Sequence, residues 1–355
     1  MTPGFSIYLD VVRLVAAMLV LTSHLAKFGF LPQDTPLTNL GHEAVIVFFV
    51  LSGSVIGHTA LRPGVTLRDF AIARAARLYS VTVPALVLSY LLAYLLGDLA
   101  VEQRASWATP LLSLGFLNEA WFMWRNVPMN EPYWSLCYEA WYYVIFACLF
   151  FLRGNARWWA VALAAAVVGP RIIILLPIWW SGVWFTDVAA RSSRARPLIG
   201  AALLVGSAAA IVIVNAAQLD MSVRDHLKHF LPQLWVLKAS ELFVTDYFNG
   251  ILVLANFFGF KLLESVAAPV LLRCAPVIRW CAGGTFSIYL FHYPLLGAAT
   301  RVVTIPHNAV GATFLALFIV LACFLLSYAT ERRKNVVASW LRRGLPRSRA
   351  DIAMT

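Results

Sequence analysis

The chain is poor in charge. Asp, Glu, Lys and Arg make up 13% of its 355 residues, about half the share of a soluble domain. With 61% hydrophobic residues and a mean hydropathy of +0.76, that excludes a soluble globular protein. It also excludes disorder, which requires low hydrophobicity. Cysteine is scarce as well: Cys137, Cys148, Cys274, Cys281 and Cys323 lie in or beside apolar runs, and none forms C-x-x-C. A disulfide scaffold is thereby excluded, and the five read as small buried hydrophobes. No Walker A loop, G-x-S-x-G or H-E-x-x-H is present, which argues against an ATPase or a soluble hydrolase. His226 and His229 have no third ligand nearby, so no metal site is expected. The N-terminus lacks a basic leader and its first apolar run already carries Asp10 and Arg13, so it does not read as a cleavable signal.

What is present in quantity is apolar sequence, in runs of bilayer-spanning length, roughly 17–25 residues. Spans are expected at about 7–27, 43–61, 78–97, 135–152, 157–169, 171–186, 198–214, 243–260, 281–299 and 309–328. The run 105–117 is short and doubtful. The net charge of +11 resolves it, because Lys and Arg concentrate in cytoplasmic loops. If 105–117 does not span and the N-terminus is cytoplasmic, nineteen Lys and Arg fall inside and eight outside, with Arg13 in the first span. A spanning 105–117 would flip every later loop and turn the basic tail outward. The fold class is therefore all-α: a polytopic membrane bundle of about ten helices with both termini cytoplasmic. Residues 1–330 form one membrane domain and 331–355 a basic cytoplasmic tail. Neither repeats nor low-complexity linkers occur, and the same charge pattern leaves no reason to expect nucleic acid as a partner. Ala and Gly in 198–214 suit close helix packing. In 215–242, Val223, Leu227, Phe230, Leu231 and Leu234 share a helical face, as in an interfacial amphipathic helix.

Ionisable residues inside a bilayer are costly and mark function by default. Here they are Asp10, Arg13, His24, Glu139 and His292, with Glu43 and Asp246 at span ends. Arg13 and His24 are eleven residues apart, nearly the same face of one helix and about 16 Å along it. Asp10 lies at i−3 to Arg13 and can pair with it. Glu139 follows Trp134 and Ser135 about one turn below the outer surface, at the depth expected of His24. A His–Glu pair there suits general-base activation of a hydroxyl. His292 stands two residues before Pro294, which can kink its helix towards a cavity. Arg74 and Arg77, at i, i+3 in a cytoplasmic basic segment, place two guanidiniums on one face, as a phosphate-bearing ligand requires.

Four blocks taken together resemble the acyltransferase 3 family of bacterial integral-membrane O-acyltransferases, the O-acetylases of surface polysaccharides. They are Leu9-Asp10-Val11-Val12-Arg13 leading to His24, Phe48-Phe49-Val50-Leu51-Ser52-Gly53, Trp134-Ser135-Leu136 with Glu139, and Ser287-Ile288-Tyr289-Leu290-Phe291-His292-Tyr293-Pro294. They run in family order from residue 9 to 294. The Arg74-x-x-Arg77 pair falls where the family has a basic cytoplasmic loop. The resemblance implies His24 as the catalytic histidine with Arg13 as its motif partner, Glu139 as an essential acid, and Arg74 and Arg77 as grips for the donor. Ser52, Trp134, Ser135, Tyr289, His292 and Asp10 would support them. It implies acyl-CoA, expected to be acetyl-CoA, as co-substrate with no tightly bound cofactor. The acceptor would be a hydroxyl of a glycan or glycolipid, at the bacterial inner membrane. With no hydrolase-like domain after the last span, the stand-alone membrane form is expected.

The competing class is a transporter or flippase of a polar solute or glycan, since buried His, Glu and Arg also mark proton-coupled transport. The chain lacks the two-fold repeat and paired broken helices that many transporters show.

Overall fold

The computed structural model describes residues 1–33, 35–99, 108–123, 125–191 and 195–344. Arg104, Arg194, the first three residues of the 105–117 run and the tail beyond 344 lie outside the described residues. Every regular element among the described residues is helical, apart from one isolated bridge between Val127 and Asn130. The long helices are α1 (Pro3–Lys27), α2 (Gly41–Ala60) and α3 (Leu67–Leu95), a short α4 (Ala108–Leu114) intervening before α5 (Trp134–Phe151). There follow α6 (Gly154–Val168), α7 (Pro170–Ile173), α8 (Leu176–Arg191), α9 (Pro197–Ala216) and α10 (Leu219–Phe230). The last five are α11 (Phe243–Arg273), α12 (Ala275–Ala282), α13 (Thr285–Val302), α14 (Ala309–Ala329) and α15 (Lys334–Gly344).

Helix ends follow local chemistry. Thr66 caps α3 by accepting from the Asp69 amide at 3.1 Å, and Asn308 caps α14 by accepting from Gly311 at 2.9 Å. Pro3 and Pro197 occupy first turns, where the missing N–H costs nothing. Large apolar side chains point outward: Leu198 is 86% exposed, Val310 79% and Trp159 77%. Such a surface belongs against lipid, not water.

Among the described residues, seven helices are long and apolar enough to cross a membrane, or eight if one bent pair counts as a span. Three of the ten expected spans, 157–169, 171–186 and 281–299, are not among the seven. The segments 157–169 and 171–186 meet at a 112° bend between Val168 and Pro170. Gly169 sits there at φ +76, and a Cβ would run into the Trp121 ring at 2.8 Å. Trp121 braces the bend by donating its amide to Val168 O and its indole N–H to Ala166 O. The expected span 281–299 breaks at Gly283–Gly284 into α12 and α13. Helix α13 has bilayer length, yet Ser287, Tyr289, His292 and Arg301 dilute its apolar content; it lies in the bundle against α1, α3 and α14. The helix in the described part of 105–117 is the seven-residue α4, about 10 Å long and too short to cross.

Small residues set the closest approaches, as in membrane bundles generally. A Cβ on Gly53 would collide with Trp179 O and one on Gly182 with Val50 O, so α2 and α8 touch backbone to backbone. Gly200 and Gly259 do the same for α9 and α11. The chain's first residue and α15 lie at one end of the bundle. The Met1 nitrogen is 3.1 Å from His58 Nδ1, and Arg68 donates to Arg342 O at 3.1 Å across the α15–α3 contact.

Candidate active site

Helices α1, α2, α3, α5 and α13 enclose a column of polar side chains. At its centre is a cavity of about 40 Å³ lined by Arg13, Ser52, Arg77, Ser135, Glu139 and Tyr289, with Phe48, Phe49 and Phe286 as apolar walls. That volume holds two or three waters. Glu139 accepts from Ser52 Oγ at 2.7 Å and from the Tyr143 hydroxyl. Ser52 in turn receives the Trp179 indole N–H at 3.2 Å, so the α2–α8 glycine contact positions it. Asp10 pairs with Arg13 at 2.7 Å, the i, i+3 pairing expected. Tyr289 and Ser135 share a 2.6 Å hydrogen bond and tie α13 to α5.

One turn along α13 from Tyr289 lies His292, at the outer end of the column. Its Nδ1 is 2.9 Å from Ile288 O, and its Nε2 is 3.0 Å from His24 Nδ1. His24 Nδ1 is also 2.9 Å from Val20 O. Carbonyls only accept, so both Nδ1 atoms carry protons. His292 Nε2 is then an acceptor for His24 Nδ1–H, and His24 Nε2 keeps a free lone pair. The Tyr293 ring stands edge-on to His24 at 5.0 Å, and its hydroxyl donates to Glu131, which Lys27 also engages.

The expected His24–Glu139 pair does not form, which corrects the sequence reading. Glu139 bonds Ser52 and Tyr143 and shares the central cavity with Arg13, and Arg13 lies about 16 Å along α1 from His24. The carboxylate sits deeper than its place in the sequence suggested, among cations, and the partner of His24 is His292. A histidine–carboxylate pair does exist at the outer end, elsewhere: His42 Nε2 meets Asp246 Oδ1 at 2.8 Å. Trp134, named as a supporting residue, stacks on His42 at 6.1 Å.

Arg77 reaches the central cavity beneath the Phe286 ring, at 5.9 Å. Arg74 lies between the rings of Phe70 and Tyr143, at 5.9 and 5.8 Å, with its Nε buried and unpartnered. Both feel the charge of Glu139. Both are half-buried cations on one face of α3, as their i, i+3 spacing suggested.

The sequence profile of an acyltransferase domain family matches residues 6–332. The chain belongs to the acyltransferase 3 family. Among its relatives are an O-acetyl transferase of Shigella phage Sf6, 38% identical over 98 residues, 26% of this chain and 28% of that one. A putative peptidoglycan O-acetyltransferase of Bacillus subtilis (strain 168) is 25% identical over 354 residues, 90% of this chain and 53% of the relative. A peptidoglycan O-acetyltransferase of Listeria monocytogenes is 23% identical over 372 residues, 92% of this chain and 56% of the relative. The chain thus spans about half the length of these two longer relatives. No solved structure matches it. The family is one of acyltransferase domains, and the chain's apolar helices make it a multi-pass membrane protein.

Three residues of the site went unremarked in the sequence. Tyr143 is i+4 from Glu139, so spacing alone places both on one face. Phe286 precedes the Ser287 block by one residue. Glu331 accepts from the Ser287 amide at 3.0 Å and its hydroxyl at 3.2 Å and acts electrostatically on Arg13 and Arg77; nothing local in the sequence signals that.

Proposed function

We propose that this acyltransferase moves an acyl group, acetyl in the first instance, from cytoplasmic acyl-CoA to a hydroxyl of a glycan or glycolipid on the far side of a bacterial inner membrane. Family membership supports the reaction class, and the names of the relatives support acetyl and glycan. The end bearing Met1, Arg62, Arg68 and Arg342 is the cytoplasmic one on the positive-inside rule. The observation that carries the reading is the free lone pair of His24 Nε2 at the outer end of a buried polar column.

In this scheme His24 Nε2 takes the proton of the acceptor hydroxyl as its oxygen attacks the thioester carbonyl. The C–S bond breaks, and the departing CoA thiolate takes that proton from His24. His292 accepts from His24 Nδ1–H and holds the ring in the productive tautomer. It is a positioning residue. General-base help of this kind contributes about 10²–10⁴-fold. Arg13 and Arg77, balanced by Glu139, line the passage of the thioester arm. Glu139 acts on that passage and not on the imidazole. The central cavity is too small for the arm as it stands, so Arg13 and Arg77 must swing when the donor enters.

The test is His24→Ala in cells, read by mass analysis of glycan O-acetylation. Loss of at least 100-fold is expected at unchanged protein level; full acetylation removes the assignment. Release of free CoA thiol from acetyl-CoA only when acceptor is present separates the enzyme from a transporter.

A further inference from the structure

A second cavity opens at the basic end of the bundle and has no role so far. Its volume is about 360 Å³, within the roughly 300–1,000 Å³ of small-molecule sites. It lies between the start of α1, the end of α2 and α12. Leu9 and Val55 form its apolar walls, and Arg62, Arg279, His58 and the Asp10–Arg13 pair supply its polar groups.

Three features give this cavity a direction and a charge. Arg13 lines both it and the central cavity, so the two are neighbours through one flexible side chain. Asp10, the one carboxylate among the described residues of its wall, is already bonded to Arg13 at 2.7 Å. Arg62 and Arg279 stand exposed at the rim, and neither pairs with a carboxylate among the described residues; Arg62 meets only the His58 ring, at 3.1 Å. Two rim guanidiniums with spare donors suit phosphate oxygens, which they bind in a bidentate fork. Arg74 differs: it is packed between aromatic rings within reach of Glu139.

We propose that the inner cavity seats the phosphorylated nucleotide head of coenzyme A, with Arg62 and Arg279 gripping its phosphates and Arg13 marking where the acyl-bearing arm turns into the central cavity. The assignment rests on the donor reading above and relocates its anchor from the Arg74/Arg77 pair to the rim. An anionic phospholipid head offers the same phosphate chemistry to the same arginines, and the 3′-phosphate of the nucleotide tells the two apart.

The experiment is calorimetric titration of the full chain in phosphatidylcholine nanodiscs with coenzyme A and with dephospho-coenzyme A. The wild type is expected to bind coenzyme A about tenfold more tightly than the dephospho form. Arg62→Gln with Arg279→Gln should weaken coenzyme A at least tenfold and abolish the preference. Arg62→Lys, which keeps charge but loses the fork, should fall between; it also serves if the double variant melts early. Wild-type affinity in a folded double variant overturns the cavity assignment alone. A wild type that binds neither compound overturns the donor reading with it. Nanodiscs doped with phosphatidylglycerol give the last arm: if that lipid raises the melting temperature of the wild type but not of the double variant, while coenzyme A affinity is equal in both, the site is a lipid site and the proposal falls.

Discussion

Two histidines stand near the outer end of the bundle on adjoining helices. A Cβ on Gly41 would touch Ser23 Oγ at 2.6 Å, so His24 and His42 each sit one residue from the point where α1 and α2 cross. Their environments are opposite. His24 is backed by a second imidazole and by carbonyls at 2.9 Å. His42 is backed by Asp246, whose side chain is 1% exposed. A chain of two imidazoles ending on a carbonyl fixes a tautomer without adding charge, and its last nitrogen is free to take a proton. An imidazole on a buried carboxylate makes an ion pair, and this one ties α2 to α11. Under the proposed scheme the same residue type is in one place a base and in the other a cross-brace.

The widest separation between them should come from the alanine variants side by side. His24→Ala is expected to lower glycan acetylation at least 100-fold with little change in melting temperature. His42→Ala should leave acetylation per folded molecule within about twofold and destabilise the protein. Removing one partner of a buried pair typically costs about 3–5 kcal/mol, so Asp246→Ala should do the same, with the double variant no worse than either single one. Equal losses of activity for His24→Ala and His42→Ala, at equal stability, would abolish the distinction.

His292 tests the relay from within. Alanine there leaves His24 Nδ1–H with Val20 O alone and frees the ring to turn. A fall of about tenfold in kcat with unchanged donor KM is expected, and His292→Gln, which can offer a side-chain oxygen to the same N–H, should recover part of it. A variant that lowers activity only in proportion to its loss of folded protein would make His292 a packing residue.

Much of this was legible in the sequence. Apolar runs gave the helices because backbone groups in lipid must bond internally, and the Asp10–Arg13 pair followed from spacing on one helix. Partner choice between helices was not legible. Glu139 and His24 were matched by estimated depth. Depth on two helices, however, depends on where each enters the membrane and how it tilts, and a helical turn at Glu131–Tyr133 runs straight into α5 at Trp134. Asp246 is 204 residues from His42, and only the packing of α2 on α11 joins them. The expected spans 157–169 and 171–186 left a boundary at residue 170, but a sequence cannot say whether the chain continues across the membrane or turns back; the 112° bend is braced by Trp121, a residue outside both segments.

The smallest effect belongs to a third buried pair, at that bend. Glu119 meets Arg171 at 3.1 Å, each side chain 2% exposed. Arg171 also donates to Val236 O and Met123 O, so it stays anchored whether or not the carboxylate is charged. Burial pushes the Glu119 carboxyl up to about 7, and the attraction of Arg171 only partly offsets this. An unfolded Glu titrates near 4.3, so between about pH 4.3 and 7 the folded chain binds the extra proton. Its contribution is therefore full below about pH 4.3 and is lost as pH rises through about 7, with a slope of at most about 1.4 kcal/mol per pH unit. Glu119→Gln keeps the shape and cannot titrate. Melting curves from pH 5 to 8 should show the wild type losing ground to the variant as pH rises, while acetylation by the two stays alike. Parallel curves would mean that Arg171 holds the carboxylate ionised throughout. The outer pair at the bend would then behave like His42–Asp246, a charged brace, and the uncharged holding of His24 would be the exception among the buried pairs at this end of the bundle.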